Sequence, residues 1–319
     1  MSRSIDASLK YLYRLFLKYF DTKDVFIPFK LMESLLLTVS LHPQMLQKQK
    51  KTDFTEYDYF TTIWQPMFNI LFERSNIRMK THESTFFYST EAKKEQYHDG
   101  KNVIGFKVGI RLFIDHDGKE YDFCSGELAK EDDHDKIILD KAKLNRESKD
   151  DLDCILDIFK EDEWTECKTW QFQAVGGSAN LNAIHLVGSG SYAVIARYRM
   201  TMPASIGDFP KFIITVKQLL TRRKDIYETA DMVTKRLATR PKLSRPQESN
   251  IYSAHTSLQR DTTYTPPEGS RWKKPTNLYG YVPVNIQEKL LTAYHCSASS
   301  SSLTPRGKNI THLAWADSK

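Results

Sequence analysis

Apolar positions near the start of the chain recur at helical spacing. Leu9, Leu12, Tyr13, Phe16, Leu17 and Phe20 share one face of residues 5–20, and basic residues take the other. A second helix is expected over 29–41, stopped near Pro43, followed by the polar linker QKQKK at 47–51. A stronger helix covers 54–75, where Phe60, Ile63, Trp64, Met67, Phe68, Leu71 and Phe72 form a wide stripe and Pro66 marks a kink or break. Residues 78–89 read as extended, and 91–101 as a charged loop.

The pattern then changes to a period of two. Phe106, Val108, Ile110, Leu112 and Ile114 alternate along 103–114, Asp117-Gly118 suits a type I′ turn, and 119–129 returns as the second strand of a hairpin. The run KEDDHD at 130–135 favours a helix start, and Ile137, Ile138, Leu144, Leu152, Ile155, Leu156 and Phe159 give a helix over 135–160 its apolar face. TWQFQAVGG, LNAIHLVGSGS and YAVIARYRMTM predict three more strands separated by glycine-rich turns. Residues 209–238 predict a last helix with a basic end. The expected architecture is a mixed α/β domain over 51–239, with a central sheet and helices packed around it. A helical extension (1–50) and a disordered tail rich in Ser, Pro and basic residues (240–319) flank it.

Charge sharpens this division. The net charge is +6, but residues 240–319 hold 11 Lys and Arg against 5 Asp and Glu, so 1–239 is neutral with 35 of each sign. Residues 120–166 carry 17 acids against 7 bases, a face that would repel a phosphate backbone. The four cysteines show no CxxC or zinc spacing and read as reduced thiols. No secretory signal or membrane span is expected, which points to a cytoplasmic or nuclear protein. A membrane-surface role for 5–20 is a lesser alternative to packing on the domain.

Candidate chemistry gathers at the end of the hairpin, where GELAK supplies Glu127 and Lys130. The order helix, three strands, acidic helix, strands, helix over 54–238 resembles the PD-(D/E)XK nuclease fold. That resemblance implies one acid on the first hairpin strand and Glu-x-Lys on the second. The acids hold Mg²⁺ or Mn²⁺ and the lysine orients the attacking water. Here the spacing is Glu-x-x-Lys, which puts the two side chains on opposite faces unless a bulge intervenes. Counting back from the turn sets Val108 opposite Glu127 and Gly109 beside it. Asp115, the nearest acid on that strand, is about 23 Å away at 3.3 Å per residue. A second metal ligand would have to be Glu56 or Glu83. No cofactor is expected outside this nuclease alternative.

The hairpin, with DYFTTIWQPMFNILF before it and YAVIARYRMTMPASIGDF after it, is also similar to a group of proteins of early-diverging fungi for which no activity can be carried over. In that group an aspartate often stands where this chain has Gly109, which implies a lost acid. HLVGSGSYAVIARYRM superficially resembles a protein-kinase glycine loop, with Lys217 as the strand lysine. Only Gly188 and Gly190 are present, no HRD or DFG motif follows, and a hairpin turn explains the glycines. His134 among Asp132, Asp133 and Asp135 reads as a solvated charge run.

The candidate nucleic-acid contacts are Arg222, Arg223 and Lys224 on the last helix and Arg271, Lys273 and Lys274 in RWKKP. Trp272, Tyr279 and Tyr281 are available for stacking, and RWKKP is also a weak nuclear-import signal. Two functions follow from the sequence: a non-catalytic nuclease-like module binding nucleic acid or protein, or a metal-dependent nuclease using Glu127, Lys130 and Glu56.

Overall fold

A computed structural model describes residues 4–22, 25–46, 54–98, 100, 102–130, 134–239 and 259–262. All of them fall within one unit, Met1–Gly280. The elements in chain order are α1 (Ile5–Lys18), α2 (Phe26–Leu41), α3 (Pro43–Leu46), α4 (Glu56–Tyr59), a π-helical turn (Phe60–Trp64), α5 (Gln65–Phe72), β1 (Arg78–Thr85), α6 (Phe87–Gln96), β2 (Lys107–His116), β3 (Lys119–Ala129), α7 (His134–Leu156), β4 (Thr169–Val175), β5 (Ser178–Gly188), β6 (Ser191–Thr201) and α8 (Phe209–Thr239). Short 3₁₀ turns precede β4 and α8.

The six strands lie side by side in sequence order. Neighbours are antiparallel except β3 and β4, which run parallel because α7 carries the chain back across the sheet. This is the mixed sheet with surrounding helices that the hydrophobic pattern predicts. Period-two alternation divides β4 between the two faces. Trp170 and Phe172 point toward α5 and α8, where Phe172 meets Trp64 and Phe68 edge-on with ring centroids 5.3 and 4.8 Å apart. Thr169, Gln171 and Gln173 point toward α7 and bond to Ser148, Asn145 and Ile137. One face of the sheet is thus apolar and the other polar.

The break at Pro66 is present as the π-helical turn just before it, which accommodates a residue lacking an N–H without ending the helix. Two expectations need correction. Residues 91–101 are not simply a loop, because α6 spans Phe87–Gln96. Its sequence is rich in Glu, Lys, Ala and Gln, good helix formers, but it buries only Tyr88 and Ser89 and so lacks an apolar stripe to betray it. Residues 103–106 are not strand, since Gly105 instead packs against α6. Its N–H donates to Thr90 Oγ1 at 3.1 Å, and a Cβ there would fall 2.3 Å from Ser89 Oγ and 2.7 Å from the Thr90 nitrogen.

The hairpin turn is as expected, with Asp117 at φ 47° and Gly118 at φ 76°. Its register is not. Phe113 faces Asp122 but Leu112 faces Cys124, so Phe123 is an extra residue in β3. Continued from Ile110 opposite Gly126, this bulge brings Gly109, not Val108, opposite Glu127. A Cβ on Gly109 would sit 3.4 Å from Glu127 Oε2.

Of the C-terminal region, residues 259–262 are described. Residues 259–262 return to α7. Gln259 Nε2 donates to Asp157 Oδ1 at 3.2 Å, and Thr262 Oγ1 donates to Asp150 Oδ1 at 2.5 Å and accepts from Lys149 Nζ at 2.9 Å. Among the described residues, no helix is long and apolar enough to cross a membrane.

Candidate functional site

Glu127 lies at the end of β3 and is 8% exposed. Its face is the polar one, covered by α7. Along α7 the residues Asp140, Lys143, Glu147 and Asp151 are spaced by three or four, so one stripe of the helix delivers all of them toward the sheet. Lys143 Nζ donates to Glu127 Oε1 and stands 3.6 Å from Glu147 Oε1. Asp151 accepts from Ser125 Oγ at 2.7 Å. The neighbouring strand adds a second ionic knot. Arg111, 1% exposed, grips Asp122 with two bonds of 2.6 and 2.8 Å and reaches Glu120 at 3.0 Å.

The electrostatics follow from burial. Burial raises the Glu127 pKa, Lys143 opposes it, and Asp140 adds to it; the Gly109 N–H on Glu127 works in the lowering direction. Glu147 is held well above the carboxylate range by burial and then by Glu127, and Asp151 by burial and then by Asp122. Asp122 is raised to about 6, again by burial, against the pull of Arg111. Burial works against the Lys143 ammonium, but Glu147, Glu127 and Asp140 outweigh it and the pKa rises. Neither oxygen of Glu147 accepts a hydrogen bond. A protonated Glu147 beside an ion pair of Lys143 and Glu127 is the arrangement these directions favour.

Of the residues singled out from sequence, Lys130, Glu56 and Asp115 do not share this site. Lys130 follows β3 in an exposed position and acts on Asp58, whose pKa is lowered chiefly by the Thr55 N–H and hydroxyl. Glu56 pairs with Lys136 at the start of α7. Asp115 pairs with Arg78 at 2.5 Å. The side chain of Glu83, with Asp132 and Asp133, lies outside the described residues, while His134 and Asp135 are exposed. Glu127 is the one anticipated residue in the cluster. Asp140, Lys143, Glu147 and Asp151 were legible only as spaced charges on a helix, where solvation is the ordinary outcome.

The basic residues divide similarly. Arg222, expected on a solvated face, is 3% exposed. Its guanidinium lies 3.5 Å from the Trp170 ring centroid, and burial lowers its pKa to about 10. A side chain so enclosed is not offered to a nucleic-acid strand. Arg223 donates to the Leu71 carbonyl at 2.7 Å, and Lys224 is exposed and 3.7 Å from Glu228. Arg271, Lys273 and Lys274 lie outside the described residues. The glycines at 188 and 190 form the β5–β6 hairpin turn, with Gly190 at φ 63°, and Lys217 is exposed on α8 rather than on a strand.

Hard cations such as Mg²⁺ or Mn²⁺ are held by converging anionic oxygens; here the Glu127 and Glu147 carboxylates converge on the Lys143 ammonium, and Gly109 faces Glu127. Among the described residues no group of three or more His, Cys, Asp or Glu is placed to hold a metal ion. No protein-family model matches the chain, and no curated protein or solved structure matches it.

Proposed function

We propose that this chain is a nuclease-like module that binds rather than cleaves. The observation that carries the reading is Lys143. In the arrangement implied by the PD-(D/E)XK resemblance, two carboxylates share a divalent cation. Here an ammonium from α7 stands between Glu127 and Glu147, and glycine stands where the first acid would be. The order of three antiparallel strands, a crossover helix and a parallel strand supports the nuclease-like comparison. The ligand this reading favours is nucleic acid. The tail of net charge +6 is the polyanion-binding part and the neutral 1–239 is its scaffold, in the cytoplasm or nucleus.

The test uses the full chain. Single- and double-stranded DNA and RNA are incubated with it in Mg²⁺ or Mn²⁺, beside a Glu127→Ala variant. We expect no cleavage and a salt-dependent retardation of the strands. Cleavage that disappears in Glu127→Ala would reject the binding reading and establish the metal-dependent nuclease in its place.

A further inference from the structure

The apolar stripe of α1 is wider than the surface it packs on. Phe16 stacks on Phe29 of α2 with ring centroids 4.1 Å apart, and the Tyr13 hydroxyl donates to Glu33. Leu9 and Leu12 lie half-buried on the same side, yet α1 has no fully buried residue. Further round the helix, Leu17 and, in the turn that follows, Phe20 continue the stripe beyond α2. They are 74% and 60% exposed. On α2, Leu37 and Leu41 lie one and two turns beyond Glu33 and are exposed as well. Seven of the fourteen exposed large apolar side chains among the described residues belong to α1, its following turn and α2. The patch is therefore a local concentration and not the ordinary scatter of a protein surface.

Cations border this patch. Lys10, Arg14 and Lys18 are spaced by four and form one row along α1, next to the row of Tyr13 and Leu17. All three are exposed, and none pairs with a carboxylate among the described residues. The acids of this region are Asp6 in the first turn, Asp21 beyond the helix, and Glu33, which holds Tyr13. No acid lies between Asp6 and Asp21 in the sequence. At the same end a cavity of about 380 Å³ opens between Phe16, Phe20, Val25 and Phe26, with Asp21, Thr22 and Arg74 completing its wall. The Arg74 guanidinium lies 4.5 Å from the Phe26 ring centroid. Unlike Lys30, which holds Glu73 at 3.0 Å, Arg74 pairs with no carboxylate among the described residues.

An apolar patch with cations along its edge suits a bilayer surface better than a protein. A protein partner would have to bring a carboxylate to each cation within an apolar contact. An anionic bilayer presents hydrocarbon and phosphate side by side. Leucine and aromatic rings enter it while the long stems of Lys and Arg reach the headgroups. Tyr11 and Tyr19, both exposed, are side chains that settle at that level. We propose that the outer face of the α1–α2 hairpin docks on an anionic lipid bilayer, with Leu17 and Phe20 entering the acyl boundary and Lys10, Arg14 and Lys18 meeting the headgroup phosphates. This is contact with one leaflet and not a span. It rests neither on the reading of Glu127 nor on that of the tail.

The experiment measures co-flotation of the full chain with vesicles of phosphatidylcholine and phosphatidylserine, beside vesicles of phosphatidylcholine alone. We expect binding to the first and little to the second. Leu17→Ser with Phe20→Ser, both at exposed positions, should weaken binding by about tenfold through lost apolar transfer. Independently, Arg14→Gln with Lys18→Gln should weaken it by about thirtyfold. Circular dichroism checks that each variant is folded. The tail also carries positive charge, so Arg271→Gln, Lys273→Gln and Lys274→Gln are measured in the same series. Binding that follows the tail substitutions and ignores Leu17→Ser with Phe20→Ser would overturn the proposal, as would equal binding to both vesicles. No binding by the full chain would overturn it too and would leave this face to an acidic protein.

Discussion

At the scale of single residues, the site is governed by how many protons its acids keep. Burial and then Glu127 hold the Glu147 pKa well above the carboxylate range. The folded state therefore binds that proton more tightly than the unfolded chain does. The resulting stability is complete below the unfolded pKa and is lost as pH rises through the folded one. Asp151, also raised, acts in the same direction. Stability should accordingly fall as pH rises from about 4.5, the ordinary range of a glutamate. Glu147→Gln keeps the shape and removes the titration. Urea unfolding between acid and mildly alkaline pH should show a shallower decline, by at most about 1.4 kcal/mol per pH unit for one proton. Identical slopes in both proteins would mean that Glu147 does not hold a proton. Removing the cation is the opposite experiment. Lys143→Met leaves Glu127 buried without its counter-charge and should cost about 3–5 kcal/mol near neutral pH, easing as the medium is acidified and Glu127 protonates.

At the scale of elements, close approaches decide more than propensity does. Gly105 lets α6 lie against the chain entering β2. In Gly105→Ala the added carbon meets Ser89 Oγ, which can rotate away, and also the Thr90 backbone nitrogen, which cannot. Thermal unfolding should register a loss of about 1–3 kcal/mol, and trimming Ser89 to alanine in the same chain should not restore it. The segment 259–262 is held by side chains, so it responds to a nearly isosteric change. Thr262→Val removes the bonds to Asp150 and Lys149. Trypsin should then cut after Arg260 about tenfold faster, in line with a loss near 1.4 kcal/mol in local closure. An unchanged cleavage rate would show that the packing of Arg260 on Gly190, and not Thr262, keeps the segment in place.

These elements also show what a sequence can disclose. The Asp117-Gly118 turn, the break at Pro66, the strands of 168–202 and the long last helix carry their cause in local chemistry, and each is present. The bulge at Phe123 leaves no compositional mark, because it depends on how β3 packs between β2 and β4, and it moved the residue facing Glu127 by one. Helix α7 misled in both directions. Ile138 and Leu139 are 67% and 69% exposed, whereas Asp150, Asp151 and Glu147 are within 2% of complete burial. Asp151 and Glu147 are inside because Ser125, Glu127, Gln171 and Gln173 make the facing side of the sheet polar, whereas Asp150 is met by Thr262. Only the pairing of β3 with β4 reveals that.

At the scale of the whole molecule, the excess of charge belongs to one end of the chain. Residues 1–239 are neutral and spend many of their charges on internal pairs. The excess of six positive charges belongs to 240–319. If nucleic acid binds the tail, affinity should come from counterion release and depend steeply on salt, with little preference for sequence. In the sequence Arg271, Lys273 and Lys274 flank Trp272, so on that reading they would combine phosphate neutralisation with a stacking surface. Replacing the three cations with glutamine should lower the slope of log affinity against log salt on single strands by about 2, at ~0.7 per lost contact. Trp272→Ala should weaken binding by about 1–3 kcal/mol and leave that slope unchanged, because stacking releases no counterions. Arg222→Gln, in a buried position facing Trp170, should alter stability and not the salt slope. A slope that follows Arg222 and ignores the three tail residues would move the polyanion surface from the tail to α8, and the neutral scaffold would then have to be the binding part.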